Sequence, residues 1–328
     1  MNSKEIIYAN LHHCNPPRPG LTFENDRTND MAGGGPGLPK GYVQKRWTEG
    51  QLEYYDDMWG NIWARMTDGS AAGEIFRPVI EDWSQLKDLV VPHYDFDETV
   101  KSFRQAFLHK SDKFKMAWMP GWVFASSHYL RKMENYLMGM LLHPEEVEIL
   151  HEKVAGVFEE VIRAAGKAGA EGIMFCEDMG TQNGLLFSPQ LWQEYFGALY
   201  ARLFGIAREC GMKVFMHSCG QNREILEPLL KAGVNCFQFD QPTVYDMTDL
   251  AQLLKKHRAA LWSPIDIQKI LPTGNRQIIE RGVDEMFEHF EGFVIFKNYP
   301  DLKGIGVDPE WDNWAYKSIV KHIRENMD

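Results

Sequence analysis

The sequence predicts an α/β fold, a (β/α)8 TIM barrel with an irregular amino-terminal elaboration. From residue 113 onward, short apolar segments alternate with amphipathic helical segments, a pattern typical of a parallel sheet covered by helices. The chain has 328 residues, which is within the range of one large α/β barrel. No GxGxxG or GxxxxGK[ST] motif follows any of the apolar segments, so the usual reason for an open nucleotide-binding sheet is missing.

The carboxy-terminal two thirds of the chain supply most of the barrel. The candidate strands are KFKMAWM (113–119), EGIMFCED (171–178), KVFMH (213–217), VNCFQFD (234–240), AALWSP (259–264) and EGFVIFKN (291–298). The candidate helices cover 143–169, 188–211, 222–233, 246–257, 276–290 and 311–326. Ser188 and Pro189 form a helix start, because serine caps the first free N–H groups and proline suits the first helical position. One or two further strands in the first 110 residues would bring the count close to eight.

The amino-terminal part of the chain reads differently from the rest. Glycine and proline punctuate residues 16–41, which predicts a long irregular segment. Residues 54–66 and 74–86 resemble short strands or a hairpin followed by a helix start. We interpret residues 1–112 as an elaboration packed on the barrel, because their many aromatic side chains would be costly to leave solvated. Residues 113–328 then form the main part of the barrel.

Composition excludes several classes of function. The formal net charge is −11, which argues against general nucleic-acid binding because that activity needs a basic footprint. No run of 18 apolar residues is present and the first 30 residues lack an apolar signal-peptide core, so neither membrane insertion nor secretion is expected. The 5 cysteines are scattered, as expected for reduced thiols in a cytoplasmic protein.

Polar side chains stand at the carboxyl ends of nearly all these candidate strands, where the catalytic groups of TIM barrels lie. They are Glu177 and Asp178, His217 and Cys219, Asp240 and Gln241, Asp266, and Asn298. His217 and Cys219 are two residues apart and therefore share a face. Gly220 follows and lets the backbone turn away.

An imidazole, a thiolate and a carboxylate with one open position are what a catalytic zinc site requires. Glu177, His217 and Cys219 are the predicted ligands. Taken alone, the His-x-Cys pair is a weak signal, and Glu177 could equally serve as a salt-bridge partner or a helix cap. On a regular strand Cys176 would face away from Glu177, and Cys14 would reach the mouth only if the amino-terminal segment folded over it.

The residues of these strand ends resemble a known family. The run from CEDMGTQNG through HSCGQN to CFQFDQP (176–242), together with SPIDIQKILPTGN (263–275) and GFVIFKN (292–298), is similar to the uroporphyrinogen decarboxylase superfamily. The similarity extends over about residues 113–325 and is greatest to the branch of zinc-dependent, corrinoid-linked methyltransferases. It implies a TIM barrel.

The resemblance also implies a metal site. In that branch zinc is held by the His and Cys of the HxC motif, by a Cys after the last strand, and often by an acidic residue. His217 and Cys219 match the motif, and Glu177 is the matching acid. The last position departs from the pattern, because FKNYPDL (296–302) contains no cysteine. A metal with one thiolate fewer is more electrophilic, which suits an ether oxygen better than another sulfur.

The function implied is methyl transfer, with the chain acting as a cobalamin-dependent demethylase component. A zinc-dependent enzyme would move a methyl group from a small methylated compound, a methoxy compound, to a corrinoid carried by a partner protein. The expected catalytic residues are Glu177, His217, Asp240 and Asp266, and the expected substrate-binding residues are Trp118, Trp122, Phe124, Tyr129 and Asn298.

Two other classes of function stay open. One is a metal-free decarboxylase or lyase of the uroporphyrinogen decarboxylase type, although the paired arginines that the resemblance would demand near the amino terminus are missing, since Arg18, Arg27 and Arg46 are widely spaced. The other is a non-catalytic corrinoid carrier, which a DxHxxG-like loop would indicate, and no such loop is present. A homodimer is also left open.

Overall fold

The computed structural model of the protein describes residues 1–68 and 73–325. Its centre is an eight-stranded sheet, with neighbours in the order β1-β12-β11-β10-β9-β8-β7-β2, and these neighbouring strands pair in parallel. The strands, numbered along the chain, are β1 (Gly20–Thr22), β2 (Met31–Gly34), β3 (Arg46–Glu49), β4 (Leu52–Asp56), β5 (Ile62–Met66), β6 (Glu74–Arg77), β7 (Phe114–Trp118), β8 (Gly172–Cys176), β9 (Lys213–His217), β10 (Cys236–Gln238), β11 (Ala260–Ser263) and β12 (Val294–Lys297).

Helices cover the outside of this sheet and close one end of it. They are α1 (Ser3–His12), α2 (Phe96–Ala106), α3 (Val123–Arg131), α4 (Met133–Leu142), α5 (Pro144–Ala168), α6 (Pro189–Trp192), α7 (Ala198–Glu209), α8 (Arg223–Ala232), α9 (Met247–His257), α10 (Arg276–Phe290) and α11 (Pro309–Glu325). A π-helical turn joins α6 to α7. Among the described residues, none of these helices is both long enough and apolar enough to cross a membrane.

The predicted barrel is confirmed. All six candidate strands are present, and β1 and β2 complete a nearly closed barrel of eight. Residues 1–112 thus include two barrel strands as well as the elaboration. The predicted helix over 311–326 is present as α11 up to Glu325, and residue 326 lies outside the described residues.

Local sequence explains where the predicted helices begin and end. The Ser188 side chain accepts a hydrogen bond from the N–H of Leu191 at 3.2 Å, ahead of Pro189 at the first helical position. Gly169 ends α5 with φ at 87°, a left-handed conformation that glycine adopts without a steric cost. The predicted capping signals therefore operate as expected.

Helix α1, which the sequence patterns do not reveal, packs across one end of the barrel. Its fully buried Ile7 and nearly buried Leu11 contact the inward-facing side chains of the strands, which form one apolar cluster: Met31, Phe114, Met116, Met174, Phe215, Cys236, Ala260, Trp262 and Ile295. These side chains fill the interior, as is typical of TIM barrels. The barrel is therefore a packed core at this end.

Contacts of α1 show which end it closes. The N–H of Lys4 donates to the carbonyl of Asp112 at 2.8 Å, and His13 Nε2 lies 3.0 Å from the carbonyl of Ala259. Asp112 lies two residues before β7 and Ala259 directly precedes β11, so α1 lies against the amino-terminal ends of the strands. Cys14 follows this helix and is therefore at the end opposite the strand carboxyl ends.

Strands β3 to β6 form a separate antiparallel sheet, here called the accessory sheet. This sheet contacts the barrel through Trp63, whose ring centre lies 4.8 Å from that of Tyr129 in α3. The Trp63 indole N–H donates to Asp57 Oδ2 at 2.8 Å, which holds the ring in place. Because α3 follows the carboxyl end of β7, the accessory sheet stands beside the barrel mouth.

Candidate active site

A cavity of about 380 Å³ opens at the carboxyl ends of the barrel strands. One part of its wall is apolar and consists of Met31, Met116, Met174, Trp118 and Trp262. The other part is polar and contains Thr22, Glu24, Asn29, Cys176, His217, Gln238, Lys297 and Asn298. An apolar pocket with a few convergent polar groups is the usual form of a small-molecule site.

The position of His217 follows from strand alternation. Phe215 belongs to the apolar cluster inside the barrel, and His217, two residues further along β9, points to the same side. At the level of His217 the apolar side chains no longer fill the barrel interior, so the imidazole borders the cavity. Cys219 follows two residues later, with its Sγ 3.4 Å from Nε2 of the same ring, and the chain then turns away at Gly220.

His217 and Cys219 meet a carboxylate that the sequence analysis did not select. The ligand atoms of Asp178, His217 and Cys219 all lie within 4.8 Å of one another. Nε2 of His217 is 3.4 Å from Cys219 Sγ and 3.7 Å from Asp178 Oδ1. The N–H of Cys219 donates to the same Asp178 oxygen at 2.7 Å. An imidazole, a thiol and a carboxylate therefore converge on one point.

Glycine makes this convergence sterically feasible. Gly220 has φ at 77°, and a Cβ there would lie only 2.4 Å from the carbonyl oxygen of Gly180. The loop after β9 therefore runs directly against the loop after β8, and the N–H of Gln221 donates to the carbonyl of Thr181 at 2.7 Å. This contact brings Cys219 next to Asp178.

Glu177, the predicted third ligand, does not join the cluster. Its side chain is fully buried on the opposite side of the strand, and its Oε1 accepts the N–H of Phe124 at 3.0 Å, close to the start of α3. Burial raises the pKa of this carboxyl well above its usual range. Glu177 thus anchors a helix, and Asp178 replaces it as the carboxylate nearest His217.

A chain of polar contacts extends from the far side of the imidazole. His217 Nδ1 lies 2.6 Å from Gln238 Oε1, and Gln238 Nε2 donates to Asp240 Oδ1 at 2.8 Å. Lys297 Nζ lies 3.1 Å from the same Asp240 oxygen. Asp240 is one of the predicted residues, whereas Gln238 and Lys297 were missed. Gln238 could have been found, because it shares the strand face of Asp240.

Comparisons with known proteins agree with this fold. The sequence profile of the uroporphyrinogen decarboxylase family matches residues 77–298. The chain belongs to this family. No curated protein matches the sequence.

Solved structures are similar to this family member at low sequence identity. A methyltransferase from Methanosarcina mazei has a TM-score of 0.61 and 15% identity, over 82% of this chain and 76% of the other. A 3-keto-D-glucoside 4-epimerase from E. coli has a TM-score of 0.42 and 12% identity, over 70% of this chain and 86% of the other. At 15% identity, the similarity to the methyltransferase shows the fold alone.

Both cysteines near the imidazole have raised pKa values in this uroporphyrinogen decarboxylase family member. Burial, reinforced by the charges of Asp178 and Asp240, raises the pKa of the Cys219 thiol to about 12. Burial also raises the pKa of Cys176 to about 12. Cys176 lines the cavity. Cys176 and Glu177 therefore face opposite sides, as predicted, but the cysteine and not the glutamate faces the cavity. A bound metal would hold a ligating thiol in its deprotonated form despite the raised pKa, because coordination deprotonates the thiol.

Two other predicted polar residues differ in their relation to the cavity. Both carboxylate oxygens of Asp266 are occupied within the chain: Oδ2 accepts the hydroxyl of Thr243 at 2.6 Å, and Oδ1 accepts the N–H of Lys269 at 2.7 Å. Asp266 therefore braces the loop after β11. Asn298 lines the cavity, and its Oδ1 accepts the N–H of Glu24 at 2.9 Å.

The aromatic residues that were predicted to bind substrate also differ in their relation to the cavity. Trp118 lines the cavity and is 41% exposed. Trp122 and Phe124 are fully buried, and the ring centre of Trp122 lies 4.2 Å from that of Phe175 on the outer face of β8. Tyr129 is half-buried beside the accessory sheet. Only Trp118 of this group borders the cavity, where Trp262 joins it with ring centres 6.2 Å apart.

Proposed function

We propose that this chain is a zinc-dependent methyltransferase that moves a methyl group from a small methoxy compound to a corrinoid carried by a partner protein. The observation that carries the proposal is the convergence of Asp178, His217 and Cys219 within 4.8 Å beside the barrel-mouth cavity. Membership of the uroporphyrinogen decarboxylase family and the likeness of the fold to a methyltransferase support it.

The donor set fits zinc. Catalytic zinc sites combine three nitrogen, sulfur or oxygen ligands from the protein with one position for water or substrate. His217, Cys219 and Asp178 supply one atom of each kind. His217 lines the cavity, and Asp178 and Cys219 lie beside its ring in the loops after β8 and β9. The chemistry that a zinc ion held by these three residues would supply is polarisation of the oxygen that carries the methyl group and stabilisation of the negative charge that develops there.

The cavity walls would bind and orient the methyl donor. Trp118, Trp262 and the methionine side chains offer apolar surface that excludes water from the reacting group. The Trp262 ring is held by its indole N–H, which donates to Thr22 Oγ1 at 2.7 Å. Asn298, beside the same cavity, would hydrogen-bond a polar substituent of the donor.

The ligand set favours an oxygen-bound methyl group over a sulfur-bound one. Cys219 is the one cysteine in the three-residue cluster, and a site with fewer thiolates keeps more positive charge on its metal. A harder metal prefers oxygen ligands. We therefore expect demethylation of methoxy compounds and little methyl transfer to free thiols.

The first experiment measures zinc in the purified protein. About one zinc per chain is expected, and the double variant His217→Ala, Cys219→Ala should lose it while its circular dichroism stays unchanged, because the barrel is packed without the ion. The chain offers a matched control, because His12 and Cys14 form a second His-x-Cys pair at the opposite end of the barrel. The double variant His12→Ala, Cys14→Ala should keep its zinc.

The second experiment tests the reaction. Wild-type protein is mixed with methoxy compounds and cobalt(I) corrinoid protein, and corrinoid methylation is followed by absorbance. The wild type and the His12, Cys14 variant should be active, and the His217, Cys219 variant inactive. Full corrinoid methylation by metal-free protein would refute the zinc requirement, whereas carbon dioxide release from a carboxylated substrate without metal would support the decarboxylase alternative.

A further inference from the structure

We infer that Gly33 is a specificity-determining position, because its lack of a side chain lets the Trp118 indole lie against β2 and keeps the cavity open to bulky methyl donors. The inference rests on the proposed function for the identity of the ligand. Its first test, however, reports the position of the indole ring and needs neither a metal nor methyl transfer.

The two glycines of β2 face opposite sides of the strand. A Cβ on Gly34 would lie 2.6 Å from the Cβ of Ala106 in α2, so this glycine lets the helix pack closely on the sheet. Gly33 faces the other way and lines the cavity. Its backbone is not in the left-handed region, so a side chain would be conformationally allowed there. The need for glycine at position 33 therefore comes from what surrounds it.

The neighbour of Gly33 is the indole of Trp118. Gly33 pairs with Met116 in the parallel register of β2 and β7, and Trp118, two residues further along β7, shares the face of Met116. A Cβ on Gly33 would lie 2.2 Å from Nε1 of Trp118 and 3.1 and 3.2 Å from its Cδ1 and Cε2. Ordinary Cβ contacts begin at 3.4 Å. The indole thus occupies the space that a side chain at position 33 would need.

The surroundings of Trp118 indicate where a displaced ring would go. Trp118 is 41% exposed and can move, whereas Trp262 is 5% exposed and donates its indole N–H to Thr22 Oγ1. The two ring centres are 6.2 Å apart, with their planes inclined at 39°. A methyl group on residue 33 should therefore push the Trp118 ring by about 1 Å away from β2, toward Trp262 and into the cavity.

The cavity has little space to spare. Its volume of about 380 Å³ is near the lower end of the range usual for small-molecule sites. An indole that moves inward takes space from the ligand, so a donor with a large group behind its methoxy oxygen should lose affinity while a small donor still fits. Gly33 therefore sets the largest donor that the site accepts.

The first experiment follows the ring. It compares Gly33→Ala with Gly35→Ala, which adds the same methyl group directly after β2 at a position where a Cβ would meet no atom within 4 Å. Protein labelled with ¹⁵N-tryptophan gives one indole N–H signal for each tryptophan, and Trp118→Val identifies the signal of Trp118. This signal should shift in Gly33→Ala and stay in place in Gly35→Ala, and circular dichroism should be unchanged in both.

The second experiment measures corrinoid methylation with a small donor, 2-methoxyethanol, and a large one, 2-methoxynaphthalene. Gly33→Ala should raise KM for the large donor at least about tenfold, since one carbon in a close-fitting pocket typically changes discrimination by about 10- to 200-fold. KM for the small donor and kcat for both should stay within about twofold, as expected when binding alone is affected. Gly35→Ala should behave as the wild type.

A double-variant comparison isolates the indole as the cause. In a Trp118→Val background, Gly33→Ala should have no further effect on KM, because the ring that it displaces is absent. A Gly33→Ala effect that persists without Trp118 overturns the inference. So do an unmoved Trp118 signal, an unchanged KM for the large donor, or an equal rise of KM for both donors. Unfolding of Gly33→Ala would overturn it as well, since the half-exposed ring is inferred to give way.

Failure of the proposed function would be distinguishable from failure of this inference. If the wild type methylates no corrinoid with either donor, binding of 2-methoxynaphthalene is followed directly by the tryptophan indole signals. Binding to the wild type that is at least about tenfold weaker in Gly33→Ala would refute methyl transfer and leave the role of Gly33 standing. No binding to the wild type, or equal binding to both proteins, would overturn that role.

Discussion

Glu177 and Asp178, which directly follow β8, have different surroundings because side chains of neighbouring residues in an extended segment point to opposite sides. Glu177 lies in the helical layer and Asp178 beside the imidazole, although the two are adjacent in sequence. A buried carboxyl that accepts backbone N–H groups stabilises the local fold, whereas an exposed one beside nitrogen and sulfur can bind an ion. Which carboxylate can take part in chemistry at this strand end therefore depends on which side of the backbone faces the cavity.

Substitution of these two residues separates the roles. Asp178→Asn should lower zinc affinity by at least about tenfold, because the amide is a weaker ligand than the carboxylate. Glu177→Gln should leave zinc affinity unchanged, since this buried side chain is not part of the three-residue cluster and the amide oxygen can still accept the N–H of Phe124. Chelator competition measures both. The reverse order of affinities would show that Glu177 is the ligand.

The candidate site was only partly predictable from sequence for a geometric reason. His217 and Cys219 could be predicted because their spacing gives them one face in any extended segment. The side of β8 that faces inward depends on its register against β9, where Cys176 is paired with His217. That register is a tertiary property, and a shift by one residue exchanges the two faces. Glu177 was therefore selected in place of Asp178.

At the scale of elements, the alternating pattern was sufficient for six strands and for the helices from residue 143 onward, whereas α2, α3 and α4 were not predicted. Their apolar runs and capping residues are local signals. The sequence GLT of β1 and MAGG of β2 contains neither a long apolar run nor alternation, and these strands are defined by their partners β12 and β7. Helix α1 likewise depends on the barrel interior against which it packs.

The contact between α4 and α5 includes a titratable group that should make stability depend on pH. His151 is almost fully buried, with Nε2 2.7 Å from the Tyr136 hydroxyl, and burial lowers its pKa to about 3. The unfolded chain therefore binds a proton near pH 6.5 that the folded chain binds only near pH 3. As pH falls through this window, the free energy of unfolding should decrease, by up to about 1.4 kcal/mol per pH unit from this residue.

Denaturant unfolding between pH 7 and pH 4.5 tests the dependence. His151→Gln removes the titrating group, so its free energy of unfolding should vary less with pH than that of the wild type. His93→Gln, at an exposed position, should keep the wild-type slope. Equal slopes for wild type and His151→Gln would assign the acid sensitivity to other groups.

At the scale of the whole molecule, the two ends of the barrel serve different purposes. One end is filled by side chains and covered by α1, and the other holds the cavity. In TIM barrels generally, the amino-terminal end of the barrel contributes to stability and the carboxyl-terminal end carries the active site. Here the stabilising end includes a helix from the amino-terminal segment, so that segment is an integral part of the barrel core.

Truncation of α1 side chains should therefore affect stability and leave the cavity unchanged. Ile7 is fully buried, and Ile7→Ala should lower the free energy of unfolding by about 3 kcal/mol, the usual cost of a buried Ile-to-Ala change. Ile149→Ala, at a position 51% exposed, should change it by less than about 0.5 kcal/mol. Zinc affinity should be the same in both. A loss of zinc in Ile7→Ala would show that the two ends are coupled.

The position of α1 also has a kinetic consequence. In the described part of the chain, side chains occupy the route from the cavity toward the amino-terminal end, so under the proposed function the methyl donor would have to enter, and the demethylated product leave, through the mouth. The corrinoid of a partner protein would have to approach through that same mouth. While such a partner was docked, the donor could not exchange with solvent. Turnover would thus follow a compulsory sequence: the donor binds, the partner docks and departs methylated, and only then does the product dissociate.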